Sequence, residues 1–228
     1  MRKIISVIAV SLGVASVATP AKADIAAGVG VSTLGYGVHV ATSFTDFIAI
    51  RANANFGDMD VPGVDMFGST FGGIDYDLDA SFGTYGLLAD FHPMALSPIG
   101  AGLVVSGGIY YNNNKFTLTA DVPTGTGIGG TTLPVSARVI SEFSFDSKWA
   151  PYLGLGYDGT FQGFVPVSFF FTGGVLFQGS PSVSVTTSDA GFNTTFATEL
   201  AAEAAQIEDD SSSLKYYPVI AMGVTISF

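Results

Sequence analysis

The sequence at residues 218–228 is PVIAMGVTISF, and it alternates strictly between two kinds of residue. One parity is large and apolar, and the other is mostly small or polar. A period of two is typical of a β-strand whose two faces meet different surroundings. A strand of a membrane barrel has this division, because one face meets lipid and the other meets a narrow interior. The stretch therefore predicts a barrel strand that ends at Phe228.

The same alternation recurs upstream, in residues 48–56, 85–91, 103–111, 142–157 and 164–178. Polar residues with inward parity could line a solute path, or they could form a salt-bridge network that plugs the barrel. An eight-stranded barrel is barely wide enough for its own side chains, which favours the plug. Small inward residues, however, leave some space inside. The candidates for the barrel lining are Arg51, Asn53, Asn55, Asp90, Asn112, Asn114, Glu142, Asp146 and Lys148.

The strand count follows from the segments between turns. Six strands are expected between Gly35 and Val185, and a last strand begins at Tyr216. The glycine-rich, alternating stretch 24–32 adds a first strand, which gives the even number that a chain with both ends on one side requires. We expect an all-β fold, an eight-stranded antiparallel transmembrane β-barrel. Long extracellular connections fall at 57–74, 121–137 and 186–215, and the last includes one short helix at Phe196–Asp209, where Ala, Glu, Leu and Gln favour helix.

The beginning of the chain predicts export. A basic head precedes an apolar run at residues 4–17 and the cleavage pattern Ala21-Lys22-Ala23, so residues 1–23 are interpreted as a signal peptide and 24–228 as the barrel. After Asp24 there is no run of 18 apolar residues. Only helices and closed barrels can span a bilayer, so an exported apolar chain of this kind predicts the outer membrane of a Gram-negative bacterium.

Composition excludes several classes of function. There is no Cys, which removes disulfide scaffolds, thiolate metal sites and Cys nucleophiles. The 19 acidic residues against 8 basic ones argue against a nucleic-acid partner. The two histidines, His39 and His92, are not accompanied by a G-x-S-x-G motif, and His39 is interpreted as a polar side chain of the barrel interior. We expect no enzyme activity, catalytic residue, metal site or cofactor.

Acidic residues concentrate in the expected extracellular loops. Asp75, Asp77 and Asp79 share one face of a strand and are expected to face outward above the membrane. Three interpretations stay open: a solvated surface, divalent-ion bridges to lipopolysaccharide, and a negative field that concentrates cationic solutes at the mouth.

Several short motifs resemble a known family. They are Leu34-Gly35-Tyr36-Gly37, Tyr76-Asp77-Leu78-Asp79, Ala150-Pro151-Tyr152-Leu153-Gly154, Gly179-Ser180-Pro181-Ser182-Val183, and an acidic helical segment before a terminal Tyr-x-Pro-Val strand. The sequence resembles the small outer-membrane barrels that include the carbapenem-associated protein CarO. The resemblance implies an eight-stranded barrel linked to the entry of small solutes, notably basic amino acids such as ornithine. The chain departs from that family in its loop lengths and in ending with Phe228 rather than Trp.

These observations predict a narrow outer-membrane channel for small solutes, with cationic amino acids as the candidate cargo. The alternative is a closed structural or interaction barrel whose acidic loops bind lipopolysaccharide or surface partners. The expected partners are outer-membrane lipid, lipopolysaccharide and the barrel assembly machinery, which would recognise the terminal strand ending at Phe228.

Overall fold

The structure is a computed structural model that describes residues 25–64, 76–97, 100–125, 127–128, 131–132, 136–145, 147–162, 166–188 and 190–228. The expected signal peptide at 1–23 lies outside the described residues, as do Asp75 and Asp146. In chain order the strands are β1 (Ile25–Ser32), β2 (Gly35–Ser43), β3 (Ile48–Val64), β4 (Tyr76–Phe91), β5 (Leu103–Asn112), β6 (Lys115–Val122), β7 (Gly127–Ile128), β8 (Thr131–Thr132), β9 (Ala137–Phe145), β10 (Trp149–Asp158), β11 (Val167–Phe177), β12 (Pro181–Thr187) and β13 (Tyr216–Ser227).

Eight of these strands close into an antiparallel barrel. The order around the barrel is β1, β2, β3, β4, β5, β10, β11 and β13. Pairing of β1 with β13, from Ala26 opposite Ser227 to Ser32 opposite Ala221, completes the circle. The predicted eight-stranded antiparallel barrel is therefore confirmed, including the first strand.

The alternation in the sequence sets the two faces of the barrel wall. In β13 the apolar parity, from Ile220 to Ile226, is exposed on the outside, whereas Val219 and Thr225 are buried inside. In β4 the outward Tyr85 and Leu87 flank inward residues in the same way. Because successive side chains of a strand point to opposite faces, one pattern produces both an apolar outer surface and a packed interior.

The two ends of the barrel differ. One end, the turn end, carries the connections β2–β3, β4–β5 and β10–β11 with both described chain ends. The other end, the cap end, carries the tight β1–β2 turn and the long connections. Gly35 closes that tight turn with a φ of 99°, and an added Cβ would lie 2.6 Å from the carbonyl oxygen of Phe56. Only glycine fits such a position without strain.

A second sheet stands on the cap end. β3 and β4 continue past the barrel as a hairpin, and β4 exchanges its neighbour β5 for β6 at residues Asp77–Ser81. β6 then pairs with β9, and β9 with β12. We call this extension of β3 and β4 with β6, β9 and β12 the cap sheet. The prediction of a single strand at 142–157 is wrong, because this segment is divided between β9 of the cap sheet and β10 of the barrel.

Helices cover one face of the cap sheet. The predicted helix is confirmed as α2 (Ala197–Asp210), and a six-residue helix, α1 (Ala190–Thr195), precedes it. Leu200 and Ile207 of α2 pack against buried cap-sheet residues such as Phe143 and Val183, and they form a core separate from the one inside the barrel. Among the described residues, no helix has the length and apolar character needed to cross a membrane.

Candidate functional site

Arg51 and Asp90 form a buried ion pair inside the barrel. Arg51 Nε lies 3.0 Å from Asp90 Oδ2, and Arg51 Nη2 donates a hydrogen bond of 3.0 Å to Asp90 Oδ1. The Ser106 hydroxyl donates to the same carboxylate, so β3, β4 and β5 are joined. The exposed fractions of Arg51 and Asp90 are 6% and 2%. Removing charges from water is costly, and each of these charges depends on the other for compensation.

Neutral polar groups share the remaining interior with the apolar core of the barrel. Asn53 donates a hydrogen bond of 2.7 Å to the Tyr110 hydroxyl, and Asn55 donates one of 2.9 Å to the Thr84 hydroxyl. His39 Nε2 lies 3.2 Å from Thr225 Oγ1, and its ring meets the ring of Phe170 edge-on. These contacts give the interior a polar wall that is largely satisfied by its own members, as buried polar groups require.

A small cavity lies among these groups. Its volume is about 40 Å³, and its wall includes His39, Arg51, Asn53, Asn55 and Tyr110. Asn53 Oδ1 is buried beside it without a hydrogen-bond partner among the described residues. One water needs at least about 10–15 Å³ of such space, so the cavity has room for a few waters but not for an amino acid.

Gln178 is buried at the cap end of the interior. Its Oε1 accepts a hydrogen bond of 2.8 Å from Asn112 Nδ2, and its Nε2 donates one of 2.9 Å to the carbonyl oxygen of Leu214. The side chain is fully buried. We call these three residues the Gln178 latch. It ties the ends of β5 and β11 to the 3-10 turn Ser212–Lys215 that precedes β13.

Asn114 forms the corner where β4 changes partner. Its Oδ1 accepts a hydrogen bond of 3.0 Å from the backbone N–H of Gly83, and its own N–H donates to Asn112 Oδ1. Asn113 donates its N–H to the Gly83 carbonyl oxygen. Asn side chains commonly hydrogen-bond to nearby backbone in turns, and here they stabilise the branch between barrel and cap sheet. The run of three Asn is the sequence signal that marks this corner.

His92 is buried at the turn end. Its backbone N–H donates to the Phe47 carbonyl oxygen, which fastens two of the turns together. Burial lowers the pKa of His92 from its usual 6.5, although Asp158 and Asp90 nearby act in the opposite direction. Asp158 also accepts a hydrogen bond from the backbone N–H of Thr160. His92 thus lies in a buried polar cluster at the turn end, where its neutral form is favoured.

The structure places the residues predicted to line the barrel in three different surroundings. Arg51, Asn53, Asn55 and Asp90 do lie together in the interior, and Asn112 and Asn114 are buried at its cap end. The inward placement of Glu142 and Lys148 is wrong, because both side chains are exposed, one on β9 and the other just before β10. Asp146 lies outside the described residues.

The acidic trio is only partly described. Asp77 and Asp79 are exposed on the extension of β4, beyond the barrel, and Asp75 lies outside the described residues. Asp79 is directly opposite Asp60 on β3, and Asp77 opposite Thr119 on β6. This part of the cap sheet therefore presents carboxylates to solvent.

Several residues of the interior were not singled out from the sequence. Ser106, Thr84, Tyr110 and Gln178 have inward parity, but uncharged groups of this kind are common in any strand. Parity alone identified their face. Their partners come from neighbouring strands far away in sequence, so no local pattern could have identified the network.

Comparison with known proteins agrees with the fold. No protein-family model matches the chain, and no curated protein sequence matches it significantly. Among solved structures, Acinetobacter baumannii CarO2 has a TM-score of 0.64 and 24% identity, with 90% of this chain and 98% of that one covered. CarO from the same organism has a TM-score of 0.61 and 24% identity, with 89% and 97% covered. The resemblance seen in the sequence motifs is confirmed as a likeness of fold.

Proposed function

We propose that this chain, which has the fold of the CarO barrels, is a bacterial outer-membrane protein that passes small solutes through a barrel that is closed at rest. The apolar outer surface supports a place in a membrane, because such a surface is costly in water. Every barrel strand contributes at least one exposed large apolar side chain, as in Val29, Val40, Ile48, Leu87, Ile109, Leu155, Phe171 and Val224.

Aromatic side chains near both ends of the barrel also support this placement. At the turn end, Tyr157 and Phe169 stack with ring centroids 4.9 Å apart. At the cap end, Tyr111 lies 5.3 Å from Trp149. Girdles of aromatic residues at the two membrane interfaces are typical of outer-membrane barrels.

The polar cavity beside Asn53 is the observation that carries the solute-passage proposal. The cavity is lined by polar side chains, and Asn53 Oδ1 has no hydrogen-bond partner among the described residues, so it is available to a polar molecule that enters. A polar solute could replace water at this point. Passage requires the Gln178 latch to open, since the cavity is too small for a solute and the latch is buried at the cap end.

The charge of the cap favours cations. Asp58, Asp60, Asp77 and Asp79 are exposed on the extended hairpin of β3 and β4. A cluster of one charge sign at a narrow entrance raises the local concentration of the opposite charge. Together with the ornithine preference that the family resemblance implies, this supports small cationic amino acids as the cargo.

Uptake into liposomes tests the proposal. We expect labelled ornithine to enter vesicles containing the refolded protein faster than labelled glutamate. The preference should fall in the double variant Asp77→Asn/Asp79→Asn and at high salt, because salt screens exposed charges. No entry of either solute, with folding shown by heat-modifiable gel mobility, would contradict solute passage.

A separate observation supports a second candidate function. The cap has a core separate from that of the barrel, which a simple loop connection would not need. This favours a displayed module that binds lipopolysaccharide or a surface partner, with the barrel as anchor. Binding of purified lipopolysaccharide that requires divalent cations and is lost in Asp77→Asn/Asp79→Asn, without solute uptake, would support this candidate.

The terminal strand suggests a route to the membrane. Phe228 follows β13 and is exposed on the apolar outer surface at the turn end. We expect the assembly machinery to recognise this strand. Replacing Phe228 by Ser should reduce the amount of folded barrel in cells, while refolding of the purified chain in detergent should continue.

A further inference from the structure

A second cavity lies between the cap sheet and the cap end of the barrel. Its volume is about 130 Å³, about three times that of the polar cavity inside the barrel. Its residues come from both parts of the molecule. The upper wall consists of Leu78, Phe116, Leu118, Phe143 and Phe145, and the floor of Gln178, Leu214 and Tyr217.

The polar groups of the floor are already engaged elsewhere. Gln178 uses its amide oxygen and nitrogen within the Gln178 latch. The Tyr217 hydroxyl donates a hydrogen bond of 2.7 Å to the carbonyl oxygen of Thr33. The wall therefore offers apolar surface and no convergent polar group. Water in such a space would lose hydrogen bonds, and apolar cavities of this kind stay dry.

Size and shape of the wall indicate which molecule fits. An engineered apolar cavity of about 150 Å³ in another protein binds benzene. Here Phe116 meets Phe145 edge-on with centroids 6.2 Å apart, and it meets Phe82 in the same way at 5.8 Å. Edge-on contacts are favourable for aromatic rings, so a further ring extends an arrangement that already exists.

We propose that this cavity is a binding site for small neutral aromatic molecules, from a single ring to the size of indole. The cavity lies near the protein surface, since five of its lining residues are only half-buried: Leu78, Phe116, Phe145, Leu214 and Tyr217. The site is distinct from the polar cavity in the barrel. It does not depend on solute passage, and it would exist in a barrel that never opens.

Methyl NMR of the refolded protein in micelles tests the site, with indole as the probe. We expect saturable shifts of the methyl groups of Leu78, Leu118 and Leu214. Leu153 and Leu155 on the outer surface serve as controls in the same spectrum, because indole that only partitions into the micelle shifts them in proportion to its concentration. Tryptophan, which adds charged groups to the same ring, should produce no saturable shift.

Filling the cavity should abolish binding. We expect Leu118→Phe to weaken indole binding at least tenfold, and Leu155→Phe on the outer surface to leave it within twofold. If Leu118→Phe does not fold by gel mobility, Leu78→Phe at the half-buried edge of the cavity replaces it. Shifts proportional to concentration at all five leucines, or unchanged binding in a folded cavity-filling variant, would overturn the proposal.

Discussion

Arg51 and Asp90 are inward-facing charged residues, and the sequence allows two interpretations of such residues. From the sequence alone, an inward charge on a barrel strand indicates either a solute path or a plug. The structure pairs the two charges at 3.0 Å and adds Ser106, so at rest they belong to the plug. The same pair borders the polar cavity through Arg51, so a solute that enters would meet this guanidinium.

Breaking the ion pair on one side should be more harmful than removing both charges. We expect Asp90→Leu or Arg51→Met to lower the free energy of unfolding by about 3–5 kcal/mol, because each leaves one buried charge without its partner. The double variant should lose less than either single variant. Urea unfolding of the refolded barrel, followed by gel mobility, measures this. A double variant with the summed loss of both singles would contradict the account.

His92 should make stability depend on pH. Burial lowers the pKa of the folded state from 6.5, so below that pH the unfolded chain binds a proton that the folded protein binds less readily. The contribution of His92 to the free energy of unfolding is fully present above about pH 6.5 and is lost as the pH falls below that value. The urea midpoint of the wild type should therefore fall more between pH 7.5 and 5 than that of His92→Gln. Parallel pH profiles would show that His92 takes no part.

At the scale of elements, the cap sheet is built from strand segments that lie beyond the barrel wall. Its outer strand β12 would expose unpaired backbone groups, which invite association with other chains. Glu208 of α2 accepts a hydrogen bond of 2.7 Å from the Val183 N–H. Asn193 of α1 accepts one from the Thr187 N–H and donates one to the Thr187 carbonyl oxygen. The helices thus protect this edge while they cover the core.

Weakening the contact of α2 should release the cap and leave the barrel intact. Ile207→Ala removes a buried side chain of the cap core and should cost about 2–5 kcal/mol of local stability. Limited proteolysis should then cut within residues 188–215 more rapidly, while the gel mobility of the barrel stays unchanged. Leu155→Ala, the same type of truncation on the outer surface, is the matched control. Equal protection of both variants would contradict a cap with its own core.

The alternation in the sequence predicts the barrel strands correctly, but it cannot distinguish them from the strands of the cap sheet. Period-two alternation shows that a strand has two different faces, but it does not show what covers the apolar one. Phe143 on β9 has the pattern of a membrane-facing residue, yet it is buried against α2. Likewise Val183 and Val185 alternate with serines and face the helices. Only the strand partners, which are distant in sequence, distinguish the two cases.

At the scale of the whole molecule, buried groups occupy the barrel interior from one end to the other. The cluster around His92 lies at the turn end, and the Gln178 latch lies at the cap end. Between them lie the ion pair and an apolar core that includes Leu34, Tyr152 and Leu176. The latch depends on a single side chain that joins β5, β11 and the turn before β13. If the barrel passes solutes, this is the connection whose loss should change permeability most.

Single-channel conductance in planar bilayers tests this account most directly. For the wild type we predict rare and brief openings in potassium chloride, with potassium favoured over chloride. Gln178→Ala removes both side-chain hydrogen bonds of the latch and should increase the open fraction at least tenfold, whereas Gln162→Ala at the turn end should not. Silence of both the wild type and Gln178→Ala, with folding verified by gel mobility, would contradict a gated solute barrel and favour the closed anchor.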